Sequence, residues 1–349
     1  MHSNPPTTQP PNHLTTFFLL AFAALALAAG YWTLIARDSL IARADNPRAL
    51  IAFDRIQRGR ILDRSGLPLA ETLGQPGDYT RRYEPSAAHV VGYSSFRYGL
   101  SGIEAAADSI LTGLDGQDEV SLWWHHHLLG EPRIGRDVQL TLDIELQRAA
   151  FDALGDRAGA IVILDAISGG VLAMASSPTF DPSRIDSDFE TFTADSNGPL
   201  LNRATLGLYA ADPLLDLFPE TLDLAITPAL PIPTQPADGN RITPLHMALL
   251  TAAIANDGLM PAPRLTQTPT QTPNSAHPIA IISSTRAAEI RSGMGAGYAA
   301  TAPTEFDDRT IGWFIGLTPS GARAICVVIE DGVAAEAAAT ALPLLKDEE

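Results

Sequence analysis

The sequence predicts an α+β protein whose main domain is an antiparallel sheet covered by helices. Two observations carry this: apolar strand pairs joined by Gly/Ser/Pro turns stand at both ends of the C-terminal two-thirds, and helical segments fill the interval between them. A third observation, one long apolar span near the N-terminus, adds a membrane-crossing helix to the plan.

The first strand pair is AIVILDAISGGVLAMAS (160–176), turning at Ser168-Gly169-Gly170. The second is IGWFIGL and ARAICVVIE, turning at Pro319-Ser320-Gly321. Ahead of them DVQLTL predicts a strand. Asp143 then heads the helix IELQRAAFDAL, with Leu146, Ala150 and Leu154 at helical spacing. Further helices are predicted for PLHMALLTAAIAND (244–257), STRAAEIRSGM (284–294) and GVAAEAAATALPLL (332–345). These elements define a large domain over 135–342, followed by an acidic tail at 343–349.

Residues 37–134 alternate short apolar runs with Gly, Pro and Asp, as in a small mixed module. RGRILDRSGLPLAET (58–72) predicts two short strands around Ser65-Gly66, GIEAAADSIL (102–111) a short helix, and EVSLWWHHHLL another strand. Two Pro/Thr-rich stretches, 227–240 and 266–278, predict loops.

Residues 1–13 are polar and Pro-rich, a composition that predicts disorder. The uncharged span at 17–36 matches a hydrocarbon core at ~1.5 Å per residue, so 14–36 is expected to be an anchor in the lipid bilayer. Tyr31 and Trp32 suit the membrane interface and favour an anchor over a cleaved signal peptide, the competing reading. The net charge of −17 leaves no basic footprint for nucleic acid. Cys326, the only cysteine, excludes an internal disulfide and sits in an apolar run, as a buried structural thiol does.

Several phrases resemble the class B penicillin-binding proteins, in that family's order. They are NPR (46–48) with RGRILDRSGLPLA, YGLSGIEAAADSILTG (98–113), DVQLTLDIELQRAA, GAIVILDAISGGVLAMASSPTFDP, NRATLGLY (202–209), ITPLHMALLTAAIANDGLM (242–260) and WFIGLTP (313–319). The resemblance covers about residues 37–332 and implies an anchor, a pedestal module at 37–134 and a peptidoglycan transpeptidase domain at 135–342. It also implies a cytoplasmic N-terminus, against the positive-inside rule, because Arg37, Arg43 and Arg48 follow the span and no Lys or Arg precedes it.

Such enzymes use Ser-x-x-Lys, Ser-x-Asn and Lys-Thr-Gly motifs. Here the first motif's serine and lysine positions hold Pro213 and Asp216, counting from GLY at 207–209. Proline has neither hydroxyl nor N–H, so nucleophile and oxyanion donor go together. Asp212 and Pro213 still suit a helix start, as cap and first helical residue. Tyr298, Ala299 and Ala300 stand where Lys-Thr-Gly is expected, and the short interval from Pro213 to Thr243 leaves no room for the Ser-x-Asn lobe. The one lysine among 23 basic residues is Lys346, so no other alignment restores either lysine.

No metal or cofactor is expected. Three adjacent histidines, His125-His126-His127, cannot all face one ion on a strand. His246 reads as a packed or surface histidine, Gly293–Gly297 lacks the strand–helix context of a phosphate cradle, and Ser101 lacks a nucleophile elbow. Trp123-Trp124 fits the pedestal core better than an exposed partner patch. The resulting expectation is a non-catalytic cell-wall assembly protein whose partner is a polytopic cell-wall polymerase, with contact to peptidoglycan a further option. Residual penicillin-binding or transpeptidase activity, and a remnant without a role, stay open as alternatives.

Overall fold

The computed structural model describes residues 13–32, 53–118, 133–218, 228–267, 277–304 and 309–347. NPR at 46–48, Trp123-Trp124 and His125–His127 lie outside them, as does the whole of the strand expected at 119–129. The chain divides into two units, Met1–Phe53 and Asp54–Glu349.

In the first unit, helix α1 (His13–Gly30) has no buried residue and is long and apolar enough to cross a membrane. Tyr31 and Trp32 follow it with their rings edge to face at 5.5 Å. At ~1.5 Å per residue these 18 residues span about 27 Å, close to the ~30 Å of a hydrocarbon core.

The second unit opens with a small sheet. Strands β1 (Ile61–Leu62), β2 (Pro68–Gln75), β3 (Asp78–Tyr83) and β4 (Val138–Gln139) are ordered β3-β2-β1-β4, the β1–β4 pair being parallel and the others antiparallel. Of the predicted strand DVQLTL only two residues join this sheet; Leu140 bridges to Thr266 instead. The helix expected at 102–111 breaks into Gly102–Ala106 and Asp108–Leu111 at Ala107, whose backbone leaves the helical region.

Helix α2 (Ile144–Leu154) begins where Asp143 predicts: its carboxylate accepts from the N–H of Glu145 at 3.1 Å and of Leu146 at 3.2 Å. Both predicted hairpins form. They supply β5 (Gly159–Asp165) and β6 (Val171–Ser177), and β8 (Thr310–Leu317) and β9 (Arg323–Glu330). With β7 (Gly297–Pro303) they make a fully antiparallel five-stranded sheet ordered β7-β8-β9-β5-β6.

Period-two alternation divides the sheet's side chains between two cores. Ile161, Ile163, Phe314, Ile325, Val327 and Ile329 share one core with Ala150 and Leu154 of α2 and with Ala337 and Ala341, which lie on the C-terminal helix Ala334–Ala341. Val162, Leu164, Trp313, Ile315, Cys326 and Val328 face the other, against helix Pro244–Ala255, where every residue but Ala255 is buried. That second core continues without a break into Ile61, Leu69, Ile103 and Leu111 of the small sheet and its helices.

Candidate functional site

The chain reaches the position of the expected nucleophile along a tightly tied path. Asn202 caps the turn of helix Arg203–Leu206, accepting from the Ala204 N–H at 3.1 Å. Arg203 crosses to the end of β9, donating from Nε to Glu330 Oε1 at 2.9 Å, and holds Gly198 and Asn197 carbonyls with its other nitrogens. Tyr209 donates its hydroxyl to the same Glu330 oxygen at 2.7 Å. Burial, then the Glu330 charge, push that phenol well above its ordinary pKa. Trp313, buried under β8, donates from its indole to the Ala210 carbonyl at 2.7 Å and meets the Tyr209 ring edge to face. These bonds fix the backbone just before helix α3 (Asp212–Leu215).

The cap of α3 differs from expectation. Ala211, not Asp212, stands at the cap without a side-chain bond, and Asp212 is already helical, so Pro213 is the second residue of the helix. Asp212 is engaged elsewhere: its Oδ2 accepts from Asn240 Nδ2 at 2.6 Å. Pro213 is half-buried and Asp216 exposed.

Helix α3 packs against β7; Pro213 lies in that helix and Asp216 at its C-terminal cap, and Tyr298, Ala299 and Ala300 lie on the strand. On β7 these last three pair with Ile315, Phe314 and Trp313. Tyr298 and Ala299 are exposed and Ala300 is buried. β7 is the sheet's edge strand, with unpaired backbone groups on one side. The motif positions expected to line a groove there hold a proline ring, a carboxylate, a phenol and a methyl group. Neither motif position offers a hydroxyl–ammonium pair for acyl transfer.

The remaining candidates resolve into ordinary structure. His246 is fully buried on its helix, and burial lowers its pKa to about 4, so it is neutral at pH 7. Gly293 and Gly295 end helix Ser284–Met294, and Gly297 begins β7. Ser101 precedes a short helix and accepts the Tyr93 N–H at 3.0 Å. Cys326 is buried in β9, which raises its pKa. Among the described residues no His/Cys/Asp/Glu group could hold a metal ion.

Residue-level reasoning missed the polar centre of the small module. Glu104 has no exposed surface, and its carboxylate meets Arg58 at 2.8 Å and Arg81 at 2.7 Å. Arg58 also reaches Asp108 at 2.7 Å, and Arg81 donates to the Gly59 carbonyl at 2.7 Å. Nearby, buried Asp63 accepts from the N–H groups of Ser65, Leu67 and Ile144, tying the β1–β2 turn to α2. The only signal available was that Arg58, Asp63 and Glu104 lie inside family-like phrases.

Comparison with known proteins places these features. Residues 58–138 match the family model for the penicillin binding protein A dimerisation domain. The chain is 31% identical over 166 residues to the peptidoglycan D,D-transpeptidase MrdA of Escherichia coli, aligning 38% of this chain with 26% of that one. It is 33% identical over 191 residues to the peptidoglycan D,D-transpeptidase PbpA of Mycolicibacterium smegmatis, aligning 50% of this chain with 38% of that one. The chain thus spans well under half the length of these two relatives. Among solved structures, penicillin-binding protein A of M. tuberculosis as an imipenem acyl-enzyme superposes with TM-score 0.66 at 20% identity, over 84% of this chain and 99% of that one. The D,D-transpeptidase domain of a peptidoglycan glycosyltransferase from Eggerthella lenta gives 0.65 at 24%, over 83% and 97%. At these identities the two structures speak for the fold.

Proposed function

The chain belongs to the class B penicillin-binding protein family, and on that premise we propose that it is a membrane-anchored, non-catalytic member that scaffolds or regulates a cell-wall polymerase. The observation that supports this reading is in the sequence: by the motif alignment Pro213, Asp216 and Tyr298 stand at the positions of the serine and both lysines of the family's chemistry, on or beside two elements that touch, α3 and β7. Proline supplies no nucleophile, and a carboxylate three residues on cannot act as the ammonium does. In this reading 1–13 is a cytoplasmic tail, 14–36 the anchor, 37–134 the pedestal and 135–342 a transpeptidase domain trimmed of its Ser-x-Asn lobe, outside the membrane. The buried ionic centre of the pedestal supports a module that is still built to fold.

Incubation of the detergent-solubilised full chain with a fluorescent β-lactam, followed by intact-mass measurement, tests the loss of chemistry. No covalent adduct is expected, and a stoichiometric adduct on the folded protein overturns the reading. The scaffold role predicts that a polytopic polymerase co-isolates with the tagged protein from native membranes, and that deletion of the gene alters wall synthesis. Failure of both leaves no support for it.

A further inference from the structure

The segment 88–102 of the small module lies against Phe180, residues 200–206 and residues 232–233 of the main domain, and between them is a cavity of about 160 Å³. Its walls come from both sides: His89, Tyr93 and Ser101 from the first, Phe180, Leu206 and Ile232 from the second. We propose that this cavity is a binding site for a compact, uncharged ring molecule that fastens the two regions together.

Size and chemistry select that ligand class. Apolar cavities of ~150 Å³ hold a benzene-sized molecule, whereas drug-sized ligands need ~300 Å³ or more, so neither a wall peptide nor a β-lactam fits. Rings already gather there, with Phe180 edge to face with His89 at 5.4 Å and with Tyr93 at 6.2 Å. No charged side chain lines the space. His89 bonds the Pro199 carbonyl through Nε2 at 2.8 Å, and burial lowers its pKa to about 4, so it is neutral at pH 7. An ionised ligand would therefore be buried without a counter-charge, at a cost far above what its ring contacts return. Polar capacity is nevertheless present: Ser101 Oγ accepts the Tyr93 N–H and keeps its own hydrogen to donate, and neutral His89 with a hydrogen on Nε2 keeps Nδ1 as an acceptor. A phenolic hydroxyl can use both kinds of group.

The site is independent of the groove between α3 and β7, so its test does not bear on the loss of acyl transfer. The full chain in detergent is titrated with p-cresol and, separately, with benzoate, following the melting transition, and its crystals are soaked in p-cresol. At millimolar p-cresol a rise in Tm of about 2 °C is expected, with density for the ring beside Phe180 and Tyr93. Benzoate is expected to leave Tm unchanged. Leu206→Phe fills the cavity and should abolish the p-cresol shift. Should that variant fail to fold, the soaked wild-type crystal decides. An empty cavity in that crystal, benzoate acting as strongly as p-cresol, or a p-cresol shift persisting in a folded L206F variant overturns the proposal.

Discussion

The carboxylates of Glu104 and Asp216 belong to one compact unit and live under opposite rules. Glu104 is sealed inside the small module, with two guanidiniums against it. Asp216 lies exposed at the C-terminal cap of α3. Removing Glu104 would leave the Arg81 guanidinium buried without its carboxylate, a fault that typically costs 3–5 kcal/mol and threatens the fold itself. Exposed positions away from caps and networks change stability by roughly 0.5 kcal/mol or less. Exchanging exposed side chains such as Asp216 is therefore expected to leave the scaffold standing, whereas exchanging the buried Glu104 is not. The Arg203–Glu330–Tyr209 tie, which shapes the approach to α3, is less enclosed than the Glu104 cluster, with Glu330 partly exposed.

The largest expected effect that sharpens this contrast is at Glu104. Glu104→Ala should destabilise the unit by about 3–5 kcal/mol in urea unfolding, and a loss under ~1 kcal/mol would mean that the two arginines find other partners. Next comes the pH dependence of buried His246. Its folded pKa of about 4 lies below the ordinary ~6.5, so the unfolded state binds the extra proton. Stability is then complete above about pH 6.5 and falls as pH drops towards 4. Between pH 7 and 5 wild type should lose roughly 2 kcal/mol more than His246→Gln. Equal losses in the two proteins would show that His246 is not held neutral.

Tyr209→Phe, which removes one hydrogen bond to a charged group, is expected to cost about 1.5–3 kcal/mol by the same unfolding measurement. The smallest structural effect, and the sharpest chemical test, is the double variant Pro213→Ser with Asp216→Lys. It should fold within about 1 kcal/mol of wild type and still take no label from a fluorescent β-lactam, because Tyr298, Ala299 and Ala300 remain on β7. Labelling of that variant would reveal a groove one helix turn away from competence.

Sequence reasoning succeeded where a signal was local. Alternating β-branched residues around Gly-containing turns located both hairpins, and Asp143 ahead of an apolar helical stripe located α2. It was weakest where distant residues decide. β7 is GYAATAP, poor in strand-forming residues, and only the resemblance to a family indicated a strand there; in the structure it is held by pairing along all of β8. Helix Ile185–Ala194 has few apolar anchors and escaped notice. The α3 cap moved by one residue because Asn240, far along the chain, takes the Asp212 carboxylate. The Glu104 cluster joins residues up to 50 apart, a separation that no periodicity reveals. Counting within motifs picked out Pro213, Asp216 and Tyr298–Ala300, whereas Trp313 and Tyr209, which tie down the backbone ahead of α3, were not assigned any part there.

The position of Lys346 has a practical consequence. It is exposed, and its neighbour Asp347 is fastened to the β8–β9 turn by the Ser320 N–H at 3.0 Å and hydroxyl at 2.6 Å. Apart from an α-amino group, every amine-directed reagent has that one side chain to find. A cross-linker or fluorophore of that chemistry thus enters at a single, structurally pinned address at the end of the main sheet. Distances to a neighbouring protein in the membrane can be surveyed from it without engineering the chain.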